Sequence, residues 1–150
     1  MDTQGTTNNL LATLRPAERA LLAPSLHRVE LAEGTVLFAA GDEVQAAHFP
    51  CDGALAAFQI QLEDGREAEA ALVGREGAVG GIVSQGRLPA FSSAVVRVPG
   101  TFLCIPSSAL EAAKAQSPAL GHLFARYADC LLAQVFQSVA CNAAHTIEQR

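Results

Sequence analysis

Four histidines, four cysteines and one glycine-rich turn are the residues of this chain best equipped for chemistry. The histidines are His27, His48, His122 and His145; the cysteines are Cys51, Cys104, Cys130 and Cys141. A zinc or iron–sulfur site would call for close pairs such as Cys-x-x-Cys, and none is present. A metal-dependent enzyme on a β-barrel of the cupin type would show His-x-His with a downstream Glu and another His. That cluster is absent too, the four His being distant from one another in the sequence. No Ser/His/Asp or Cys/His pairing, P-loop or Rossmann glycine pattern occurs. The expectation is a protein that is no enzyme and carries no metal and no cofactor. Cys130 and Cys141 are eleven residues apart, within about 20° on one helical face but roughly 16 Å apart along it. They cannot bridge each other and read as small buried thiols.

The elements that position these residues must come from one domain. The chain has 150 residues, of which 50% are hydrophobic and only 17% charged, a balance that excludes intrinsic disorder. A net charge of -5 makes it a poor ligand for nucleic acid, which needs concentrated positive charge. The start, MDTQGTTNNL, lacks the basic and apolar regions of a signal peptide. The longest stretch without Asp, Glu, Lys or Arg, Cys130 to Ile147, contains Gln134, Gln137, Ser138, Asn142 and His145, so no membrane span is expected. A cytoplasmic protein with reduced thiols is the expectation.

Turn signals recur through the middle of the chain, among them Glu33-Gly34, Gly41-Asp42, Asp52-Gly53, Asp64-Gly65 and Pro99-Gly100. Short runs of period two lie between them. Phe58, Ile60 and Leu62 alternate with Gln59 and Gln61, while Ala68, Ala70 and Leu72 alternate with Glu67 and Glu69. Two of these runs form a hairpin around Asp64-Gly65. Ser93–Val98 and Thr101–Ile105 read as another pair around Pro99-Gly100. Such spacing points to a sandwich or barrel of short strands.

The ends read as helices. Asn8-Asn9 and Pro16 open a short N-terminal cap carrying Leu10, Leu11, Leu14, Leu21 and Leu22. Pro106-Ser107-Ser108 opens a helix to Gln116, and Ser117-Pro118 opens one to about Ala144. From Pro118 to His145 the only Asp, Glu, Lys or Arg residues are Arg126 and Asp129. One apolar stripe runs Leu120, Phe124, Tyr127, Leu131, and a second runs Ala125, Ala128, Leu132, Val135, Val139. A helix lying on one barrel needs one apolar face. Two faces call for a second cover, either another part of the same chain or a partner subunit, and a partner is expected because little chain remains to supply it. Leu120, Phe124, Tyr127 and Leu131 are assigned to the contact region of a homodimer, with the choice of stripe left open.

Three segments together resemble the sensor half of the Crp–Fnr transcription regulators. They are His48-Phe49-Pro50-Cys51-Asp52-Gly53, Leu72-Val73-Gly74-Arg75-Glu76-Gly77-Ala78-Val79-Gly80, and Ala140 to Arg150. The resemblance runs from about Asn8 to Arg150. It implies a mainly β fold, a cyclic-nucleotide-binding-like double-stranded β-helix or jelly roll with an N-terminal helical cap, over residues 1–117. It implies a dimerisation helix over 118–150 leading to a helix-turn-helix that reads DNA. That DNA-binding domain is not in this chain, so DNA contact is expected only through it.

The resemblance also implies a phosphate cassette, in which Gly-Glu-Leu precedes Arg-Ser-Ala. The Glu accepts from the ribose hydroxyl and the Arg pairs with the cyclic phosphate. Here Gly80-Gly81-Ile82 and Ser92-Ser93-Ala94 stand in those places, so Gly81 replaces the Glu and Ser92 the Arg. Arg87 lies in the intervening loop. The cassette is therefore read as degenerate, either closed by side chains or open to some small effector of unknown identity. In the Gly74-Arg75-Glu76-Gly77 turn, the glycines are read as structural and the charged pair as solvated. The gas sensors of that family hold haem on an axial ligand, for which His27, His122 and Cys51 have the right chemistry and no spacing favours one of them. Two other classes stay open beside an allosteric sensor: a cupin-type metal-dependent enzyme, and a ligand-free protein-interaction module.

Overall fold

Asn8 caps a one-turn helix, α1 (Asn9–Ala12), its Oδ1 accepting from the Leu11 amide at 3.0 Å. The computed structural model describes residues 7–81 and 88–144. Pro16 then occupies the first position of α2 (Pro16–Leu22), where its missing N–H costs nothing. Among the described residues seven strands follow: β1 (His27–Leu31), β2 (Val36–Phe38), β3 (Ala46–Pro50), β4 (Leu55–Gln61), β5 (Glu67–Val73), β6 (Ser93–Val98) and β7 (Gly100–Pro106). Two helices close the described chain, α3 (Ser107–Gln116) and α4 (Pro118–Ala144).

The strands make two antiparallel sheets, ordered β1-β7-β3 and β2-β6-β4-β5, in a jelly-roll arrangement without full barrel closure. With about 39% helix against 33% strand, "mainly β" describes the centre of the molecule rather than the whole chain. The expected hairpin at Asp64-Gly65 forms: β4 pairs with β5, and Gly65 takes φ 83° in the turn. The pair expected around Pro99-Gly100 does not. β6 pairs with β2 and β4 while β7 pairs with β1 and β3, so the chain changes sheet at that point. Gly100 sits at φ 156°, and a Cβ there would stand 3.1 Å from the Ala54 Cβ. Proline and glycine make a corner here instead of a hairpin.

The alternation of β4 also ends sooner than the sequence implies. β6 begins at Ser93, opposite Gln59, so Ile60 runs past β6 with only β5 beside it, Leu62 lies beyond β4, and the two are 48% and 40% exposed. Gln59 is buried instead.

Alternation along β7 builds the core twice. Phe102 points between the sheets with Ala56, Val73, Val79, Ala94 and Val96. Leu103 and Ile105 point the other way, with Ala47 and Phe49 of β3, onto the helices. There Leu11, Leu22, Leu110, Leu120 and Phe124 complete a second cluster. The three-stranded sheet is thus covered on both faces, which is why β7 reads as a nearly continuous apolar run. Phe124 meets Phe49 in a tilted ring pair with centroids 6.3 Å apart. These contacts fix α4 on the outside of the roll.

Candidate functional site

Gly74 to Gly81 follow β5, and Leu88 to Ser92 lead into β6. The turn after β5 is held from several sides. The Gly74 amide donates to Glu76 Oε1 at 2.9 Å, and the Asn9 amide donates to the Arg75 carbonyl at 2.6 Å. The side-chain amide of Asn8 donates to the carbonyls of Pro50 and Gly77 at 2.8 and 2.9 Å. Tyr127 on α4 donates its hydroxyl to the Ala78 carbonyl at 3.2 Å. A Cβ at Gly77 would collide with that hydroxyl, so glycine is the residue that lets α4 approach. Glu76 thus caps its own turn, and Gly77 serves as a contact surface.

Val79 forms an isolated bridge with His48, in which His48 N donates to Val79 O at 2.7 Å and Val79 N to His48 O at 2.8 Å. Gly80 follows at φ 131°, and a Cβ on it would lie 2.5 Å from the Ala46 carbonyl oxygen. Gly81 is half-buried beside it. Ile82 and Arg87, expected in the cassette, lie outside the described residues.

On the returning side, Ala94 is fully buried between the sheets, and Ser92 and Ser93 are half-buried. The Ser93 hydroxyl accepts from the Ala40 amide at 3.0 Å. The approach to β6 is tied to the turn after β2, since Gly41 N donates to Ala90 O and Ala90 N to Asp42 O, both at 2.8 Å. Phe91, 91% exposed, stands next to Ser92. Gly80, Gly81, Ser92, Ser93 and Ala94 carry no charge, so what they can offer a ligand is backbone amides and hydroxyls.

The histidines gather more than their sequence spacing implied. His27 on β1 and His48 on β3 both register with Cys104 on β7, which puts the three in one row across the sheet. Burial, and next the charge on His27, lowers the pKa of His48, whose buried Nδ1 has no hydrogen-bond partner. Burial likewise raises Cys104, and it pushes Cys51 up to about 11. Both thiols are inert at neutral pH. Among the described residues no group of His, Cys, Asp and Glu is arranged to hold a metal ion. Cys130 is exposed and Cys141 half-buried, against the expectation of buried thiols.

On α4 the two stripes have different neighbours. Leu120 and Phe124 are fully buried against the chain's own sheet, Tyr127 reaches Ala78, and Leu131 packs on the inner core. All four are engaged within the chain. Leu132, Phe136 and Val139, at 51%, 63% and 61% exposure, present an apolar row to solvent along the distal half of the helix. Phe136 is the member of that row that the sequence reading passed over. Its place four residues after Leu132 was the available signal.

A family model for the cyclic nucleotide-binding domain matches residues 28–117. The chain belongs to that family. Among solved structures it resembles the N-terminal domain of a transcriptional regulator from Streptomyces coelicolor A3(2), with 22% identity, 88% of this chain and 92% of that one covered, and a TM-score of 0.58. It also resembles the Thermus thermophilus catabolite activator protein, with 24% identity, 89% and 61% coverage and a TM-score of 0.63. A third likeness is to the c-di-GMP responsive global regulator CLP of Xanthomonas campestris, with 15% identity, 88% and 66% coverage and a TM-score of 0.70. The chain spans 61% and 66% of the last two proteins. No curated protein matches it. At these identities the structural likenesses establish the fold. That fold is the one implied by the resemblance of the three sequence segments.

Among the described residues no helix is long and apolar enough to cross a membrane.

Proposed function

We propose that this cyclic nucleotide-binding-like domain is the effector-sensing and dimerisation part of a Crp–Fnr-type transcription regulator, whose cassette has lost its affinity for cyclic nucleotides. The observation that carries the reading is α4. One face of it is sealed to the sheets and the Gly74–Gly77 turn, and the other offers Leu132, Phe136 and Val139 to solvent. Soluble monomers rarely leave such a row uncovered. A two-fold pair of helices would bury it, each side chain meeting its symmetry mate. The contact assigned to Leu120, Phe124, Tyr127 and Leu131 then passes to the opposite stripe of the same helix. Displacement of α4 by an effector would be the output, read by DNA-binding domains attached beyond residues 118–150.

Light scattering of the 15.6 kDa chain tests this. The expected mass is twice that of one chain at tens of micromolar. Phe136→Asp should give a folded monomer with unchanged far-UV circular dichroism. A wild-type chain that is monomeric across that range would overturn the dimerisation role.

A further inference from the structure

A cavity of about 330 Å³ lies between the N-terminal helices and the outer face of β7, away from the cassette and from the exposed row of α4. Leu11, Leu14, Leu22, Leu26 and Leu103 form its wall, and Arg19 stands among them. Its size falls in the range of small-molecule sites, which pair apolar walls with a few placed polar groups. Water inside would find few partners on leucine side chains. Asn8, also at the wall, is committed: its amide serves Pro50 and Gly77, and its oxygen serves Leu11. Arg19 is different. Its Nη2 donates to the carbonyls of Ala12 and Leu14 at 3.3 and 3.4 Å, and among the described residues no carboxylate pairs with it. A guanidinium offers five N–H groups in a planar fork suited to a carboxylate.

We infer that this cavity binds a small amphiphilic monocarboxylate, its hydrocarbon chain among the leucines and its head group on Arg19. The inference rests on the reading of the chain as an effector sensor, and it gives the effector a place other than the cassette. A route to α4 is built in. Asn8 lies against the cavity and donates to the Gly77 carbonyl, and Gly77 lies under the Tyr127 hydroxyl. An occupant that fixes α1 also fixes the turn on which α4 rests.

Decanoate is the probe, with n-decanol as its uncharged counterpart. Calorimetry on the whole chain should give one decanoate per chain, with n-decanol at least about tenfold weaker, because a hydrogen-bonded charge pair is lost. Arg19→Gln should bring decanoate down to the affinity of n-decanol. Leu26→Phe, at a partly exposed wall position, should narrow the cavity and weaken both ligands while the fold persists. Phe136→Asp should leave decanoate binding unchanged, since the apolar row of α4 is not the site.

Absence of decanoate binding up to millimolar concentration would overturn the inference. Equal affinity for the two ligands, indifference to Arg19→Gln, or loss of binding in Phe136→Asp would also overturn it. Lack of binding in an intact dimer defeats the cavity alone. Binding by a persistent monomer defeats the dimerisation role alone.

Discussion

The hydroxyl of Tyr127 rests over Gly77 and donates to the carbonyl of Ala78 at 3.2 Å, joining the long C-terminal helix to the turn that follows β5. The ring is largely buried, and its pKa is pushed up to about 12 by that burial, so the phenol stays protonated and a donor throughout the physiological range.

Replacing either partner should cost stability by a different route. Tyr127→Phe removes one hydrogen bond and should lower stability by about 0.5–1.5 kcal/mol. Gly77→Ala forces the Tyr127 hydroxyl aside and should cost about 1–3 kcal/mol, as overpacking does. With Tyr127 already changed to Ala, the Gly77→Ala increment should shrink sharply, because the two residues share one contact. Urea denaturation of the wild type, Gly77→Ala, Tyr127→Ala and the double variant measures the coupling. Additive losses would mean that the contact carries no energy.

Gly80 is a second position where glycine is required. Positive φ and overlap with the Ala46 carbonyl act together there, so Gly80→Ala should destabilise by about 2–4 kcal/mol. A thermal melt within one degree of wild type would contradict the close packing of this turn on β3.

The two stripes of α4 should separate on alanine substitution. Phe124→Ala opens a cavity in the outer core and should cost about 3–5 kcal/mol. Phe136→Ala should shift the monomer's stability by less than about 0.5 kcal/mol, as exposed positions do, while weakening self-association. Denaturation at low protein concentration, combined with sedimentation, distinguishes the two losses.

His48 predicts an acid-sensitive fold. Its pKa lies below the ordinary value of 6.5 when folded, because burial and the charge of His27 disfavour the imidazolium. Below about pH 6.5 the unfolded chain therefore binds the proton more readily than the folded one, and stability falls as pH drops. Above that pH the residue imposes no penalty. His48→Gln should flatten the fall in melting temperature between pH 7 and pH 5, relative to wild type. Identical slopes would show that other groups set the acid limit.

Cyclic AMP and cyclic GMP should fail to bind at micromolar concentration. Loss of an Arg–phosphate pair costs about 2–5 kcal/mol when the remaining charge is buried, which is roughly thirty- to several-thousand-fold in affinity. Micromolar binding measured by calorimetry would refute the degenerate reading of Gly81 and Ser92.

Local chemistry was enough for the sequence to place the helices and most of the strands. The Asn8 cap, Pro16 at a helix start, the Asp64-Gly65 hairpin and the breaks at Pro106 and Pro118 all act over a few residues, so they can be read in order along the chain. The identities at Gly81 and Ser92 are equally plain, and the loss of cyclic-nucleotide affinity proposed from them rests on the resemblance rather than on the coordinates. What sequence periodicity could not decide was which partner each apolar face would meet. Both stripes of α4 have helical spacing. Only packing on Phe49 and the inner core assigned Leu120, Phe124, Tyr127 and Leu131 inward and left Leu132, Phe136 and Val139 in water. The same limit hid the sheet change at Pro99-Gly100, the row of His27, Cys104 and His48, and the seat of Tyr127 on Gly77. Each joins residues far apart in the chain, and such contacts exist only once the two sheets and the helices have closed on one another.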